Sequence, residues 1–204
     1  MRVLLTGFEP FLGHKVNPTE AIVKELAGKK IEEIEEIEVI GEVLPVAFSQ
    51  SASQLLRLYE KHKPDAVVML GLAAGRNCIT PERVAINCSD GDADNEGKAL
   101  QDAVIREDGP AAYFSTLPIR DIVNHLVKEG LPAQVSNTAG TYLCNNIMYQ
   151  MLDHLAQQQI ECQAGFIHIP ASHELALTNA ALPSMSHGDL VRAVKVVIAR
   201  LASR

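Results

Sequence analysis

Short apolar runs alternate with amphipathic segments along almost the whole chain. Continuous or alternating apolar positions predict strands, whereas apolar residues spaced three and four apart predict helices. The predicted strands are 2–6, 37–44, 66–70, 83–87, 133–136 and 165–169, and the predicted helices are 18–27, 51–61, 119–129, 144–157 and 187–201. Because strands and helices alternate along the chain, we expect an α/β sandwich around a mostly parallel sheet.

One long segment interrupts the alternation. Residues 90–108 are polar and rich in Gly and Asp, which is typical of a long loop. The sequence has no internal repeat, low-complexity tract or linker, and its 204 residues suit one full core better than two. We therefore expect a single domain over residues 1–204.

Composition and charge narrow the class of protein. The chain is 47% hydrophobic and 21% charged with a mean hydropathy of +0.06, as in an ordinary globular protein. A net charge of −7 argues against a nucleic-acid partner. The N-terminal apolar run is too short for a signal sequence or a membrane span. We expect a cytoplasmic protein with reduced thiols and no membrane partner.

Cysteine is the residue type with the clearest chemical potential. Cys78, Cys88, Cys144 and Cys162 form no C-x-x-C pair and no zinc-type spacing, so we expect no metal. Cys144 follows a Gly-containing loop and opens the predicted helix 144–157. The positive end of a helix stabilises a thiolate and lowers the thiol pKa, which favours a nucleophile. A lone cysteine is more commonly a buried structural residue, and that alternative stays open here.

Several further candidates lie after strands, at the sheet edge where α/β proteins form their sites. His168 has apolar neighbours on both sides and could act as a base, although by itself it is more commonly a structural histidine. Glu82 could orient that imidazole or be a surface carboxylate. Phe8 and Phe11 could line a small apolar pocket or pack their loop onto the sheet. A thiol, a base and an orienting acid would together form a catalytic triad.

The segments TGFEPF, GLAAGR, ITPERVAIN, GPAAYFSTLPI, TAGTYLCNN and GFIHIP occur in this order along the chain. Together they resemble the pyroglutamyl peptidase I family over nearly the whole length. The resemblance implies a cysteine peptidase that removes an N-terminal pyroglutamyl residue from peptides. It also implies a three-layer α/β/α sandwich of the phosphorylase/hydrolase type, no cofactor, a cytosolic location and usually a homotetramer.

The same resemblance implies roles for individual residues. By motif position, Cys144 would be the nucleophile, His168 the general base and Glu82 the acid of the triad. The substrate pocket would comprise Phe8, Phe11, Asn17, Leu72 and Tyr142.

The chain departs from the family pattern in three places, the first of which is Leu12-Gly13 where the family usually has Gly-Gly. Leu72 stands where the family usually has Gln, and Asp92 stands where it commonly has an Arg thought to stabilise the oxyanion, in a stretch one residue shorter. We expect an active but slowed enzyme in which Asp92→Arg raises kcat. The shorter stretch could instead move Asp92 away and leave Arg76 or Arg83 to substitute.

Two other classes of function remain as alternatives. One is a catalytically weakened or non-hydrolytic homologue that binds a pyroglutamyl-like ligand. The other is a nucleoside-phosphorylase-like enzyme on a similar architecture. The complete Cys/His/Glu set argues against both, and the lack of a clear phosphate-binding loop argues against the second.

Overall fold

The computed structural model describes residues 1–29 and 37–202. Its strands are β1 (Arg2–Phe8), β2 (Glu38–Leu44), β3 (Ala66–Leu72), β4 (Thr80–Pro81), β5 (Val84–Ile86), β6 (Ser89–Gly91), β7 (Leu100–Ala103), β8 (Ala112–Phe114), β9 (Gln163–Ile169), β10 (Ala171–Ser172) and β11 (Ser184–Met185). Its helices are α1 (Pro18–Leu26), α2 (Ser51–His62), α3 (Ile119–Lys128), α4 (Leu143–Gln157), α5 (His173–Ala176) and α6 (His187–Leu201).

A five-stranded sheet forms the centre of the molecule, in the order β2, β1, β3, β9, β4. The first four strands are parallel, and the short β4 runs antiparallel to β9 at one edge. The predicted α/β class with a mostly parallel sheet is therefore confirmed. All seven residues of β3 are buried, as its continuous apolar run predicts for a strand covered on both faces.

Helices cover both faces of this sheet. On one face Val68 and Leu70 pack among residues of α1, α3 and α6. On the other face Val67 and Met69 pack among residues of α2 and α4. Successive side chains of a strand point to opposite faces, so a single apolar strand contributes to both cores. The result is the three-layer arrangement that the resemblance implies.

Helix ends follow the capping residues in the sequence. Asn17 caps α1, as predicted, because its side chain accepts a hydrogen bond from Thr19 N at 3.1 Å. Ser186 caps α6 by accepting one from Asp189 N at 3.1 Å. The bounds of α6, His187–Leu201, are those that the apolar spacing predicts.

The prediction of a loop over 90–108 is wrong, because part of this segment pairs as a hairpin. Strand β6 pairs antiparallel with β7 through Ser89 with Ala103 and Gly91 with Leu100. The one buried residue of this two-stranded ribbon, Ser89, is polar, so the ribbon shows no apolar alternation from which a strand could be predicted.

The predicted strand 133–136 is also wrong. The segment makes only two isolated bridges, from Ala133 to Ile79 and from Ser136 to Glu82. It runs beside the short edge strand β4, and the two bridges lie just before and just after that strand. The prediction that Cys144 follows a full strand therefore needs correction, although the loop before α4 still borders the sheet edge.

No helix in the described ranges combines the length and the apolar character that a bilayer crossing requires.

Candidate active site

The carboxyl ends of β3 and β9 bring together two segments that the sequence singles out. In the parallel register of these strands, Gly71 lies opposite His168. Phe166 and His168 are two positions apart on β9, so both side chains point to the α4 side of the sheet. Their rings lie 4.8 Å apart between centroids.

Cys144 is the second residue of α4 and lies over this strand pair. A β-carbon at Gly71 would lie 3.0 Å from Cys144 Sγ and 2.5 Å from Phe166 Cζ. Since real side chains do not tolerate such contacts, only glycine leaves room here for the sulfur and the ring. The missing side chain of Gly71 therefore allows the thiol to approach the strands that carry His168.

Glu82 and His168 form a buried pair. His168 Nδ1 lies 2.7 Å from Glu82 Oε1, and the exposed fractions of the two side chains are 7% and 0%. Glu82 directly follows β4, the strand that pairs with β9. Burial raises the pKa of Glu82, but the hydrogen bonds that it accepts, from His168 first and also from Arg76, outweigh burial and leave the pKa lowered. The carboxylate is therefore ionised at neutral pH.

The imidazole is neutral under the same conditions. Burial lowers the pKa of His168 below its ordinary value, and Glu82 only partly offsets this effect. The bond from Nδ1–H to the carboxylate leaves Nε2 as the basic nitrogen of the neutral ring. A neutral, oriented imidazole is suited to accept a proton.

The expectation of a lowered thiol pKa at Cys144 is wrong. Burial, followed by the negative charge of Glu82, raises the pKa of Cys144 to about 12, although its own backbone N–H and Arg76 oppose the rise. The helix start is present, but desolvation outweighs it. The free protein therefore holds a neutral thiol, and a thiolate would form only if the sulfur lost its proton to a base.

The sequence-predicted aromatic residues line a small apolar pocket at the thiol. Its walls are Phe8, Phe11, Val46, Leu72, Tyr142, Leu143 and Cys144, and the cavity between them is about 10 Å³ and opens to solvent. Four of the five residues predicted to contact substrate therefore lie here. Val46 was missed, although its position just beyond the carboxyl end of β2 follows the same rule that located the others.

Asn17, the fifth predicted pocket residue, has a different position. Its side-chain Nδ2 donates to Glu9 O at 3.1 Å, while its Oδ1 accepts from Thr19 N and Oγ1. The side chain thus connects the start of α1 to the loop between Phe8 and Phe11. A larger cavity of about 330 Å³ does include Asn17, but none of the three predicted catalytic residues lines it.

Asp92 is exposed on the turn between β6 and β7. Neighbouring residues hold this turn against the pocket: buried Asp94 accepts from Phe48 N at 2.7 Å, and Asn95 N donates to Val46 O at 2.9 Å. Burial, followed by the charges of Asp94 and Asp92, raises the pKa of Tyr142 to about 12. The Asp92 charge is not among those that shift the pKa of Cys144, whereas the Glu82 charge is.

The remaining cysteines differ from Cys144. Cys162 lies in the polar run Gln159–Gln163, which predicts that it is the most exposed rival of Cys144. This prediction is wrong, because Cys162 is buried with its S–H donating to Pro64 O at 3.6 Å, and burial raises its pKa to about 12. Cys78 is also buried, and Cys88 is half-buried. Among residues 1–29 and 37–202, no group of three or more potential ligands could hold a metal ion.

Comparison with known proteins shows that the chain is a cysteine peptidase. The chain belongs to the pyroglutamyl peptidase family, whose model matches residues 1–204.

Named relatives agree with this assignment. The chain is 56% identical over 200 residues to a pyrrolidone-carboxylate peptidase of Halalkalibacterium halodurans, covering 98% of both chains. It is 45% identical to the pyrrolidone-carboxylate peptidase of Pyrococcus furiosus, covering 97% of this chain and 96% of the relative. A crystal structure of a mutant pyrrolidone carboxyl peptidase from P. furiosus matches with a TM-score of 0.94 at 44% identity, covering 100% of this chain and 99% of that one.

Proposed function

We propose that this protein hydrolyses the bond that follows an N-terminal pyroglutamyl residue, with Cys144 as nucleophile, His168 as general base and acid, and Glu82 as the orienting carboxylate. The observation that carries the proposal is the buried 2.7 Å pair of Glu82 and His168. His168 lies opposite Gly71, the residue whose missing side chain leaves room for the Cys144 sulfur. Family membership supplies the substrate class.

The reaction begins from a neutral thiol and a neutral imidazole. His168 Nε2 takes the proton of Cys144 as the sulfur attacks the pyroglutamyl carbonyl carbon, so the thiolate exists only during attack. Glu82 stabilises the imidazolium that forms and keeps the ring oriented. This sequence requires no preformed thiolate, in agreement with the raised pKa of Cys144.

The start of α4 can stabilise the oxyanion. The first backbone N–H groups of a helix have no partner within that helix, and Cys144 is the second residue of α4. Its N–H can donate to the negative oxygen of the tetrahedral intermediate. His168 then gives its proton to the leaving amine, and a thioester remains on Cys144. Water, activated by His168, hydrolyses the thioester and restores the thiol.

The pocket suits a lactam ring better than a free amino acid. None of the seven residues that line it carries a charge at neutral pH. A pyroglutamyl ring has no α-amine to pair, whereas a glutaminyl group would bury an ammonium without a partner. The substrates would therefore be peptides that begin with pyroglutamate, and substrates with a free N-terminal Glu or Gln would be excluded.

The proposal also includes the cytoplasmic location and the homotetramer that the family resemblance implies. The two alternatives, a weakened or non-hydrolytic homologue and a phosphorylase-like enzyme, are outcomes of the same test.

The test compares a pyroglutamyl chromogenic amide with the matching glutaminyl amide. We expect turnover of the first alone, its loss after thiol alkylation, and its loss in a folded Cys144→Ser variant, while Cys88→Ser, at another incompletely buried cysteine, keeps it. Comparable turnover of the glutaminyl amide would contradict the lactam pocket. Binding without turnover would support the non-hydrolytic homologue, and phosphate-dependent cleavage of a nucleoside would support the phosphorylase.

A further inference from the structure

Arg76 lies beside the proposed catalytic residues, in the turn that follows β3. Its backbone N–H donates to Ala73 O at 2.9 Å, and Ala73 N–H donates to Ile169 O at 2.9 Å, at the end of β9. The turn is thereby fixed to the strand that carries His168. The sequence left open whether Arg76 replaces the arginine that the family commonly has at position 92.

The guanidinium of Arg76 points at the buried carboxylate. Arg76 Nη1 donates to Glu82 Oε1 at 2.6 Å and to Thr80 Oγ1 at 2.5 Å. One guanidinium nitrogen carries two hydrogens, so both bonds form at once. His168 Nδ1 lies 2.7 Å from the same Glu82 Oε1. This carboxylate oxygen is therefore held between the imidazole and the guanidinium.

A second connection runs through Thr80. Its hydroxyl accepts from Arg76 and donates to His168 O at 3.4 Å. Because the hydroxyl accepts from the guanidinium on one side, its hydrogen is directed to the other side, where the carbonyl lies. Arg76 is thus linked to the side chain of His168 through Glu82 and to its backbone through Thr80.

The other guanidinium nitrogen reaches the loop before the nucleophile. Arg76 Nη2 donates to Thr138 O at 3.3 Å, in the loop that leads to Cys144. The Arg76 side chain is 31% exposed, whereas Glu82 is 0% exposed. Arg76 therefore connects the buried carboxylate, the sheet edge and the nucleophile loop.

On the basis of the proposed function, we propose that Arg76 is a positioning residue of the active site, which fixes the Glu82 carboxylate against His168 and ties this pair to the loop that carries Cys144. It contacts neither substrate nor the reacting atoms. A lysine cannot replace it fully, because one ammonium cannot reproduce the planar fork that contacts three partners.

The charge of Arg76 gives this role a signature that a purely structural role would not have. Burial is the largest influence lowering the pKa of His168, Glu82 opposes it, and the positive charge of Arg76 lowers it further. Glu82 and Arg76 are the charged groups that act on this imidazole, and the Cys144 thiol faces it from α4 as a neutral group. Loss of the Arg76 charge should therefore raise the pKa of His168.

The experiment uses Arg76→Met, Arg76→Lys and the control Arg83→Met. Arg83 is a matched arginine, because its Nε donates to Asn137 Oδ1 at 2.7 Å in the same loop, with no ion pair to Glu82 in the described part of the chain. The readouts are kcat and KM for a pyroglutamyl amide across pH, together with an NMR titration of the His168 imidazole.

We expect Arg76→Met to lower kcat on the order of 100-fold, the typical cost of a small misplacement of catalytic groups. KM should change less than about threefold, since the lost contacts involve the enzyme's own groups and not the bound substrate. The acid limb of kcat/KM and the titration of His168 should both move to higher pH. Arg76→Lys should have an intermediate kcat with a near-normal acid limb, and Arg83→Met should stay within about twofold, as for an exposed contact.

A folded Arg76→Met variant with unchanged kcat and an unmoved acid limb would overturn the proposal. An equal loss in Arg83→Met would also overturn it, because general support of the loop would then suffice. If Arg76→Met does not fold, a wild-type kcat in Arg76→Lys would overturn it. An inactive wild type would instead refute the proposed function. In that case the NMR titration still tests the role of Arg76, because an unchanged His168 titration in Arg76→Met would show that Arg76 does not act on the imidazole.

Discussion

Two glutamate–histidine pairs in this protein have nearly the same length and very different surroundings. His168 Nδ1 lies 2.7 Å from Glu82 Oε1, and His187 Nε2 lies 2.8 Å from Glu25 Oε2. The first pair is 7% and 0% exposed, whereas the second is 45% and 39% exposed. A distance by itself therefore does not distinguish a pair proposed to be catalytic from a pair at the surface.

Burial is what separates them. The pKa of Glu25 is lowered chiefly by its hydrogen bond to His187, with burial a smaller, opposing influence. At Glu82 and His168, burial is the largest influence on both partners, and it favours the neutral imidazole. An exposed pair of this kind contributes little to stability and is screened by salt. The buried pair combines a fixed carboxylate with a basic nitrogen, which is the combination that a general base needs.

The largest effect on kcat is expected when the buried imidazole is removed. His168→Ala should lower kcat on a pyroglutamyl amide by roughly 10² to 10⁴-fold, the usual contribution of a general base. The matched change His187→Ala should leave kcat within about twofold, because an exposed pair contributes little. Circular dichroism would verify that both variants fold. Equal losses of kcat in the two variants would show that the buried pair has no catalytic role that the exposed pair lacks.

The second prediction concerns thiol reactivity. Cys144 should react with iodoacetamide faster than Cys78, Cys88 and Cys162, because it lies over the strand that carries His168, whose imidazole can take the thiol proton as the sulfur attacks. His168→Ala should slow this labelling, since the thiol itself has a pKa of about 12, and His187→Ala should not. Peptide mapping after brief treatment measures the order. Faster labelling of half-buried Cys88, with activity retained, would refute the assignment.

The third prediction is a pH profile. His168 must be neutral to act as base, and its pKa lies below the ordinary value of 6.5. The acid limb of kcat/KM should therefore have its midpoint below pH 6.5, since the imidazole stays neutral until the pH falls through its lowered pKa. Stability should change in the same direction: the unfolded chain binds this proton more readily, so the free energy of unfolding decreases as pH falls below 6.5. His187→Ala should leave the limb in place, and a midpoint above 6.5 would contradict a neutral buried imidazole.

The smallest effect is expected at Asp92. The sequence favours a rise in kcat for Asp92→Arg, but this residue is exposed and its charge is not among those that act on Cys144. We now expect kcat to change less than about twofold, because the Asp92 charge is exposed and screened by solvent, and it acts on Tyr142 of the pocket wall but not on Cys144. Steady-state kinetics with Asp92→Asn as the charge-neutral control measures this. A several-fold rise in kcat for the arginine variant alone would show that position 92 still faces the oxyanion.

Periodicity predicted the elements that are buried on a sheet face or along a helix. The apolar run of β3 and the spacing of α6 gave their positions because burial dictates those residues. The hairpin of β6 and β7 escaped prediction because its one buried residue, Ser89, is polar. The segment 133–136 looks like a strand in the sequence but borders an edge strand only two residues long. The sequence pattern of one segment does not show how long the neighbouring strand is.

The site shows the same limit. Residue types and strand ends alone left Cys144, His168 and Glu82 with structural alternatives, and the resemblance to a family supplied their proposed roles. The direction of the Cys144 pKa could not be predicted, because a helix start is visible in the sequence whereas burial depends on Gly71 and the strands beneath it. Nor could the sequence show that Arg76 shares a carboxylate oxygen with His168.

The most direct test of the central claim is to trap the acyl group on the enzyme. A pyroglutamyl ester with a good leaving group should acylate faster than the enzyme deacylates, and so give a burst of product before steady turnover. Acid quenching followed by peptide mapping should find the pyroglutamyl group as a thioester on Cys144. Turnover with no burst and no adduct, or an adduct on Cys88 in place of Cys144, would contradict the account.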